Sequence, residues 1–177
     1  MLGVDTAATT ALDAAALAEL RRFLYDAYDG TFGDRDWEHA LGGVHALGTE
    51  AGALVAHASV VERTLVHGGR RLRTGYVEAV AVRGDRRRLG YGRAVMEAIG
   101  DVLAERYELG SLSAGGGAAR LYRSLGWRPW EGRTWVNGPN GLERTPADDD
   151  GVHVLPLTAE LDFTGDLLCD WREGDVW

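Results

Sequence analysis

Apolar residues at Ala16, Leu20, Phe23, Leu24 and Ala27 recur at helical spacing and predict an amphipathic helix over 12–28, with Asp13 as a cap near its start. Residues 1–11 carry little pattern and are expected to fray. Gly-Thr-Phe-Gly at 30–33 ends the helix, D-W-E-H-A at 36–40 reads as a second, short one, and Gly42-Gly43 then frees the chain for strands. The stretches 44–47, 53–66 and 71–82 form a predicted β-meander with turns at 50–52 and 67–69; His67-Gly68-Gly69 is a strong hairpin signal. A helix over 90–105, a strand over 108–113 and a helix over 118–125 follow, the last closed by Gly126. The last strand candidates are 127–130 and 152–155, and 133–150 between them reads as a long polar loop of a length that is usually functional. No internal repeat, low-complexity tract or linker interrupts the pattern. It predicts one domain over 1–177, of α/β class, in which an α+β mixed sheet is flanked by helices.

The chain is organised around residues 76–93, Y-V-E-A-V-A-V-R-G-D-R-R-R-L-G-Y-G-R. They begin as a strand, with β-branched Val77, Val80 and Val82, and break at Arg83-Gly84-Asp85. From Gly90 onward Val95, Met96, Ala98, Ile99, Val102 and Leu103 mark a helix. A strand, a basic loop with two glycines and a helix set unpaired N–H groups at a positive helix end, which suits a pyrophosphate. The spacing is neither G-x-x-x-x-G-K-[ST] nor G-x-G-x-x-G. It is R-x-x-G-x-G, on Arg87, Gly90 and Gly92.

Composition narrows the classes. The 177 residues suit a single sizeable core, and the net charge of -8 argues against a nucleic-acid partner. No run is long and apolar enough to span a membrane, and the N-terminus lacks a signal pattern, so the expected place is the cytoplasm. The one cysteine, Cys169, excludes an internal disulfide and a cysteine-based zinc cluster. His39, His45, His57, His67 and His153 stand without ligand spacing, so no metal is expected. Arginines crowd 83–93, while acids crowd 34–38, 148–150 and the last residues. Such segregation fits an anionic cofactor meeting a cationic substrate.

The loop motif Arg87, Gly90, Gly92 and the short helix L-Y-R-S-L-G-W at 121–127 together resemble the GNAT superfamily of N-acetyltransferases. That resemblance implies the GNAT acyltransferase fold, with splayed central strands, and acetyl-CoA as cofactor. It places Val80, Ala81 and Val82 at the thioester and pantetheine arm, and Arg87, Arg88, Leu89, Gly90, Tyr91 and Gly92 at the pyrophosphate. It also puts Glu78 before the attacking amine and Tyr122 where the sulfur departs, as a candidate general acid. From the residues alone, Glu78 is either an outward polar position or a buried functional one, and its wholly apolar neighbours favour the second. Tyr122 reads equally as a core aromatic beside Leu121 and Leu125.

Asp36-Trp37-Glu38-His39 with Leu41-Gly42-Gly43, then G-Y-V-E-A-V-A-V, T-P-A-D-D-D-G at 145–151 and D-W-R-E-G-D-V-W at 170–177 look like the aminoglycoside 2′-N-acetyltransferases. The likeness implies direct acetyl transfer to the 2′-amine of aminoglycosides in a ternary complex, antibiotic resistance, and a homodimer. It maps substrate contacts onto Asp36, Glu78, Ala79, Ser113, Ala147, Asp148, Asp175 and Trp177, and puts the Trp177 carboxylate beside Glu78 as a second, assisting group for the base. Thr31, flanked by Asp29 and Asp34, stands where that family usually carries a further acid. Another amino sugar or endogenous amine would use the same acids, so that alternative stays open at this level.

Overall fold

The computed structural model describes residues 1–115 and 117–177, and the chain divides into two compact units: Met1–Val61 with Val77–Val102, and Glu62–Tyr76 with Leu103–Trp177. Two long strands, β3 (Ala53–His67) and β4 (Arg70–Val82), contribute to both. The hairpin between them turns on Gly68 and Gly69 at φ 57° and 76°. Both values lie in the left-handed region that a two-residue turn of this kind demands and that glycine adopts freely.

In the first unit, β1 (Leu2–Ala8) runs antiparallel to β2 (Val44–Glu50), and β2 runs antiparallel to the start of β3. The expectation that residues 1–11 fray is therefore wrong. The ladder of β1 runs from Leu2 opposite Glu50 to Ala8 opposite Val44, a distant partnership that its own small, polar sequence does not announce. Helix α1 (Ala14–Ala27) starts where the sequence places it, with Asp13 accepting from the Ala16 N–H at 2.8 Å. It buries Leu20, Phe23 and Leu24 against Phe32 and the Ala81 of β4. Each such side chain contributes about 1.5–3 kcal/mol by leaving water. Helix α2 (Asp34–Ala40) and most of helix α3 (Tyr91–Arg106) complete this unit.

In the second unit, β5 (Leu109–Ser113) lies parallel to the first part of β4 and antiparallel to β9 (Val152–Pro156), with β6 (Arg128–Pro129) on the far side of β9. Helix α4 (Ala119–Ser124) precedes β6 and ends at Gly126, φ 88°, in the C′ position that the sequence assigns to it. The expected long loop at 133–150 instead holds a hairpin, β7 (Thr134–Gly138) with β8 (Gly141–Arg144), turned at Pro139-Asn140. A further unforeseen strand, β10 (Leu167–Asp170), runs antiparallel to the end of β3 and parallel to β7. β7 buries the polar Thr134 and β8 exposes the apolar Leu142, which hides their alternation, and β10 is too short to show any.

Candidate functional site

Strand β4 is strained at one point. Ala79 takes φ 51°, a left-handed conformation inside a strand, which costs a residue with a Cβ about 1–2 kcal/mol. Three successive carbonyls around it each accept from a side chain. Ser59 Oγ donates to Glu78 O at 3.3 Å, His57 Nδ1 to Ala79 O at 2.8 Å, and Tyr28 Oη to Val80 O at 2.9 Å. Strained backbone persists only where its surroundings over-determine it. Glu78 is half-buried, as are Val80 and Val82, while Ala81 is buried.

After β4 comes a 3-10 turn over Gly84–Arg86. Three of the five arginines of 83–93 are spent on internal pairs: Arg83 on Asp85 at 2.7 Å, Arg86 on Glu50 at 2.6 Å and on Asp85 at 2.9 Å, and Arg93 on Glu97 at 3.1 Å. The Tyr91 hydroxyl also donates to Glu50, and with Arg86 it holds that carboxyl below its usual range. Arg87 donates to the carbonyls of Ala27 at 3.0 Å and Val82 at 3.4 Å. It therefore braces the loop as well as lending it charge. Arg88 and Gly90 take positive φ, 65° and 87°, and Leu89 is exposed. A Cβ at Gly90 would meet nothing within 4 Å, so the loop is open just before Tyr91 and Gly92 start the 16-residue helix α3. The turn, the open space and the helix end fit a pyrophosphate. On α2, Asp36 is half-buried and accepts from the Gly33 N–H at 2.7 Å, so one of its oxygens caps its own helix.

The remaining expected residues lie in the second unit, and most of them converge. The end of β5 is tied to the 145–151 turn by the Ala114 N–H to Gly151 O bond at 3.0 Å. Gly151 lies so close to Ser113 that an added Cβ would stand 3.1 Å from its hydroxyl. In that turn Asp149 is bound by Arg144 at 2.7 Å and by the Thr134 N–H at 2.8 Å, and Arg144 holds its carboxyl far below the usual range. Asp148 is half-buried. Burial, then the charges of Asp175 and Asp149, push its carboxyl up. Ala147 is exposed on the same turn. The Trp177 indole is buried and donates to Thr145 Oγ1 at 2.9 Å, while the Trp177 N–H reaches Asp175 Oδ1 at 3.3 Å. Arg172 donates to the Trp177 main-chain oxygen at 3.4 Å and to Asp175 O at 2.7 Å. Ser113, Asp148, Asp175 and Trp177 thus share one neighbourhood around a turn and the last residues.

Tyr122 is buried, its ring edge-on to Trp127 at 6.3 Å and 6.2 Å from the His153 ring. Burial pushes its phenol up to about 12, so it holds its proton at neutral pH.

Three features escaped the sequence. Arg63 is buried and donates to the Asp170 carboxylate at 2.9 Å, Asp170 O at 2.6 Å and Val176 O at 2.7 Å, anchoring the segment that carries Asp175. Asp149 has a holding role that its two acidic neighbours mask. His45 and His57, read as scattered, meet ring to ring at 2.9 Å. The hairpin register was the available signal, since it sets His45 opposite Ser59 and Leu47 opposite His57 on one face. Among the described residues no group of three or more His, Cys, Asp or Glu could hold a metal ion, and no helix is long and apolar enough to cross a membrane.

The acetyltransferase (GNAT) domain family matches residues 10–130. An aminoglycoside 2′-N-acetyltransferase from Mycolicibacterium fortuitum is 51% identical over 173 residues, covering 96% of this chain and 89% of that protein. The fold is shared with a GNAT family acetyltransferase from Brucella melitensis solved in complex with acetyl-CoA, at TM-score 0.62 and 15% identity over 94% of each chain. It is shared also with the ribosomal-protein-S18-alanine N-acetyltransferase of Escherichia coli, at TM-score 0.61 and 20% identity, over 92% of this chain and 97% of that one.

Proposed function

The chain belongs to the GNAT acetyltransferases and, within them, to the aminoglycoside 2′-N-acetyltransferase family; on that premise we propose that it transfers an acetyl group from acetyl-CoA to the 2′-amine of aminoglycosides, giving resistance to them. The observation that supports the substrate class is the clustered acidity of the second unit, where burial and the charges of Asp175 and Asp149 push the Asp148 carboxyl up. A polycation relieves that repulsion. The proposal takes 1–177 as one catalytic domain; the homodimer that goes with it rests on the family likeness alone, and the cytoplasmic placement on the sequence pattern.

Bound acetyl-CoA supplies the acyl group as an activated thioester. The main-chain N–H groups of Val80, Ala81 and Val82 bind the thioester end, and Arg87, Arg88 and the open Gly90 turn take the phosphates. Asp36, Asp148 and Asp175 hold the drug's ammonium groups. Glu78, acting through a water and assisted by the Trp177 carboxylate, takes the proton from the 2′-ammonium, which frees the nitrogen lone pair to form the N–C bond. As the C–S bond breaks, Tyr122 gives its phenolic proton to the sulfur, a role that a phenol pushed up to about 12 can fill because it is protonated beforehand; the second proton that the nitrogen sheds on becoming an amide passes to solvent, from which the Tyr122 phenolate is reprotonated. The buried Trp177 indole, tied to Thr145, fixes the wall beside Asp175. Thiol release measured with acetyl-CoA and paired aminoglycosides, with and without a 2′-amine, tests the reading. Turnover is expected only with the 2′-amino member of each pair. Equal rates with both members, or none with either, would sink it, and a faster rate with a simple amino sugar would transfer the role to that substrate.

A further inference from the structure

We propose that His57 is a positioning residue for acyl transfer: its Nδ1–H, braced from behind by His45 and Thr9, holds the Ala79 carbonyl and with it the left-handed turn that sets the N–H groups of Val80, Ala81 and Val82. The proposal rests on the acyl-transfer reading above and assigns that reaction a residue from a strand that carries none of the expected site groups.

The chain of contacts has one direction. The Ala79 carbonyl can only accept, so His57 Nδ1 carries the hydrogen of the 2.8 Å bond. A neutral His57 then has a bare Nε2, and His45 Nδ1 must donate to it across 2.9 Å. His45 Nε2 is bare in turn and accepts from the Thr9 hydroxyl at 2.8 Å, while that hydroxyl accepts from the Gly42 N–H at 3.0 Å. Gly43 O, at 3.3 Å, is the more distant alternative for the Thr9 hydrogen. Every link has one donor and one acceptor, and the wire ends on a carbonyl. A carbonyl passes no proton on, so this is a brace and not a proton path.

The environment supports that assignment. His45 and His57 are fully buried, and burial pulls them down to about 4 and about 3. Both imidazoles are neutral across the working range, so the donor pattern is constant there. The wire also ends at a telling place. Ala79 is the single position of β4 with positive φ, between Glu78 and the residues assigned to the thioester. A pair of histidines serving only to fill the core would have no need to end on that carbonyl. The far end matters as well. Thr9 follows β1, so the N-terminal strand that the sequence left unpatterned helps to carry the brace.

Two amide replacements separate positioning from filling. In H57N the side-chain nitrogen stands where Nδ1 stood and can still donate to Ala79 O, whereas in H57Q it stands one bond further out, where Nε2 was. The purified full chain is assayed with acetyl-CoA and a 2′-amino aminoglycoside, and amide hydrogen exchange is followed without ligand on the peptide covering 76–83. H57Q is expected to lower kcat by about a hundredfold with the drug KM little changed, since small misplacement of reacting groups costs that much. Its exchange should quicken on that peptide and not across the rest of the chain. H57N should restore both towards the wild-type values. Equal kcat and equal exchange in H57Q and the wild type, or an H57N no better than H57Q, would overturn the assignment. Because the exchange comparison needs no substrate, it stands even if the unaltered enzyme fails to acetylate any aminoglycoside, which would instead sink the functional reading.

Discussion

The bend of β4 and the acidic turn of the second unit solve the same problem by opposite means. Around Ala79 the backbone is strained and its restraints are neutral: a hydroxyl, an imidazole and a phenol, each donating to a main-chain carbonyl. Around Asp148 the backbone is unremarkable in φ and its restraints are charged: Arg144 on Asp149, Arg63 on Asp170. Neutral restraints keep their strength as pH and salt change, which suits N–H groups that must meet a developing charge at a fixed distance. Charged restraints are tunable and also set a potential, which suits the capture of a cation. On the proposed function, the difference teaches that one region serves geometry and the other field.

The largest effect that bears on this contrast lies on the geometric side. Glu78→Gln removes the proposed base and should lower kcat by roughly 10²–10⁴-fold with the acetyl-CoA KM unchanged, an effect read by steady-state kinetics with both substrates varied. A variant retaining most of the wild-type kcat would remove Glu78 from the chemistry. Next is Arg63→Met, which leaves the Asp170 carboxylate and two carbonyls without their donor. Asp170 is exposed and water takes over part of its side of the pair, so the loss in thermal or denaturant unfolding should be about 1–3 kcal/mol, and the drug KM should rise while the acetyl-CoA KM holds. Were the two KM values to rise together, the anchoring of Asp175 by Arg63 would not be specific to the drug.

The smallest effect concerns the field itself. The Asp148 carboxyl is pushed up by burial and by Asp175 and Asp149, so it takes up a proton earlier on acidification than an ordinary aspartate. The ionised form attracts the drug, and that attraction is lost as pH falls through the raised value. The drug KM should therefore climb on the acidic side, and climb further with added salt, because exposed charges are screened over about 8 Å at physiological ionic strength. Asp148→Asn should flatten both trends at a cost of about 1 kcal/mol in drug binding. Identical pH and salt profiles for the variant and the wild type would place the field elsewhere.

The same contrast explains what could be read in the sequence. The helix with Leu20, Phe23 and Leu24, the meander, the glycine turn at 68–69 and the strand–loop–helix at 76–93 are local patterns, and each formed where its own residues demanded it. What escaped was non-local. β1 finds its partner at 44–50, β10 is a four-residue strand flanked by β3 and β7, and the hairpin in 133–150 is masked because it buries Thr134 and exposes Leu142. At the site, the groups proposed to meet the substrates carry telling chemistry, and the sequence alone singles them out. The residues that hold them in place, His45, His57, Arg63 and Asp149, look ordinary along the chain and acquire meaning only from the ladders that juxtapose them.

The place of β10 also has a consequence for how the protein comes to be made. Leu167, Leu168 and Cys169 complete the outer ladder of the end of β3, opposite His67, Val66 and Leu65, and they supply the parallel partner of β7. Synthesis runs from the N-terminus, so the edges of β3 and β7 have no partner until about a hundred further residues have followed β3. Open strand edges recruit other chains. Ribosome stalling or a stop codon ahead of residue 167 would release a product with two such edges bare, and aggregation rather than a weakened enzyme is the fate expected for it.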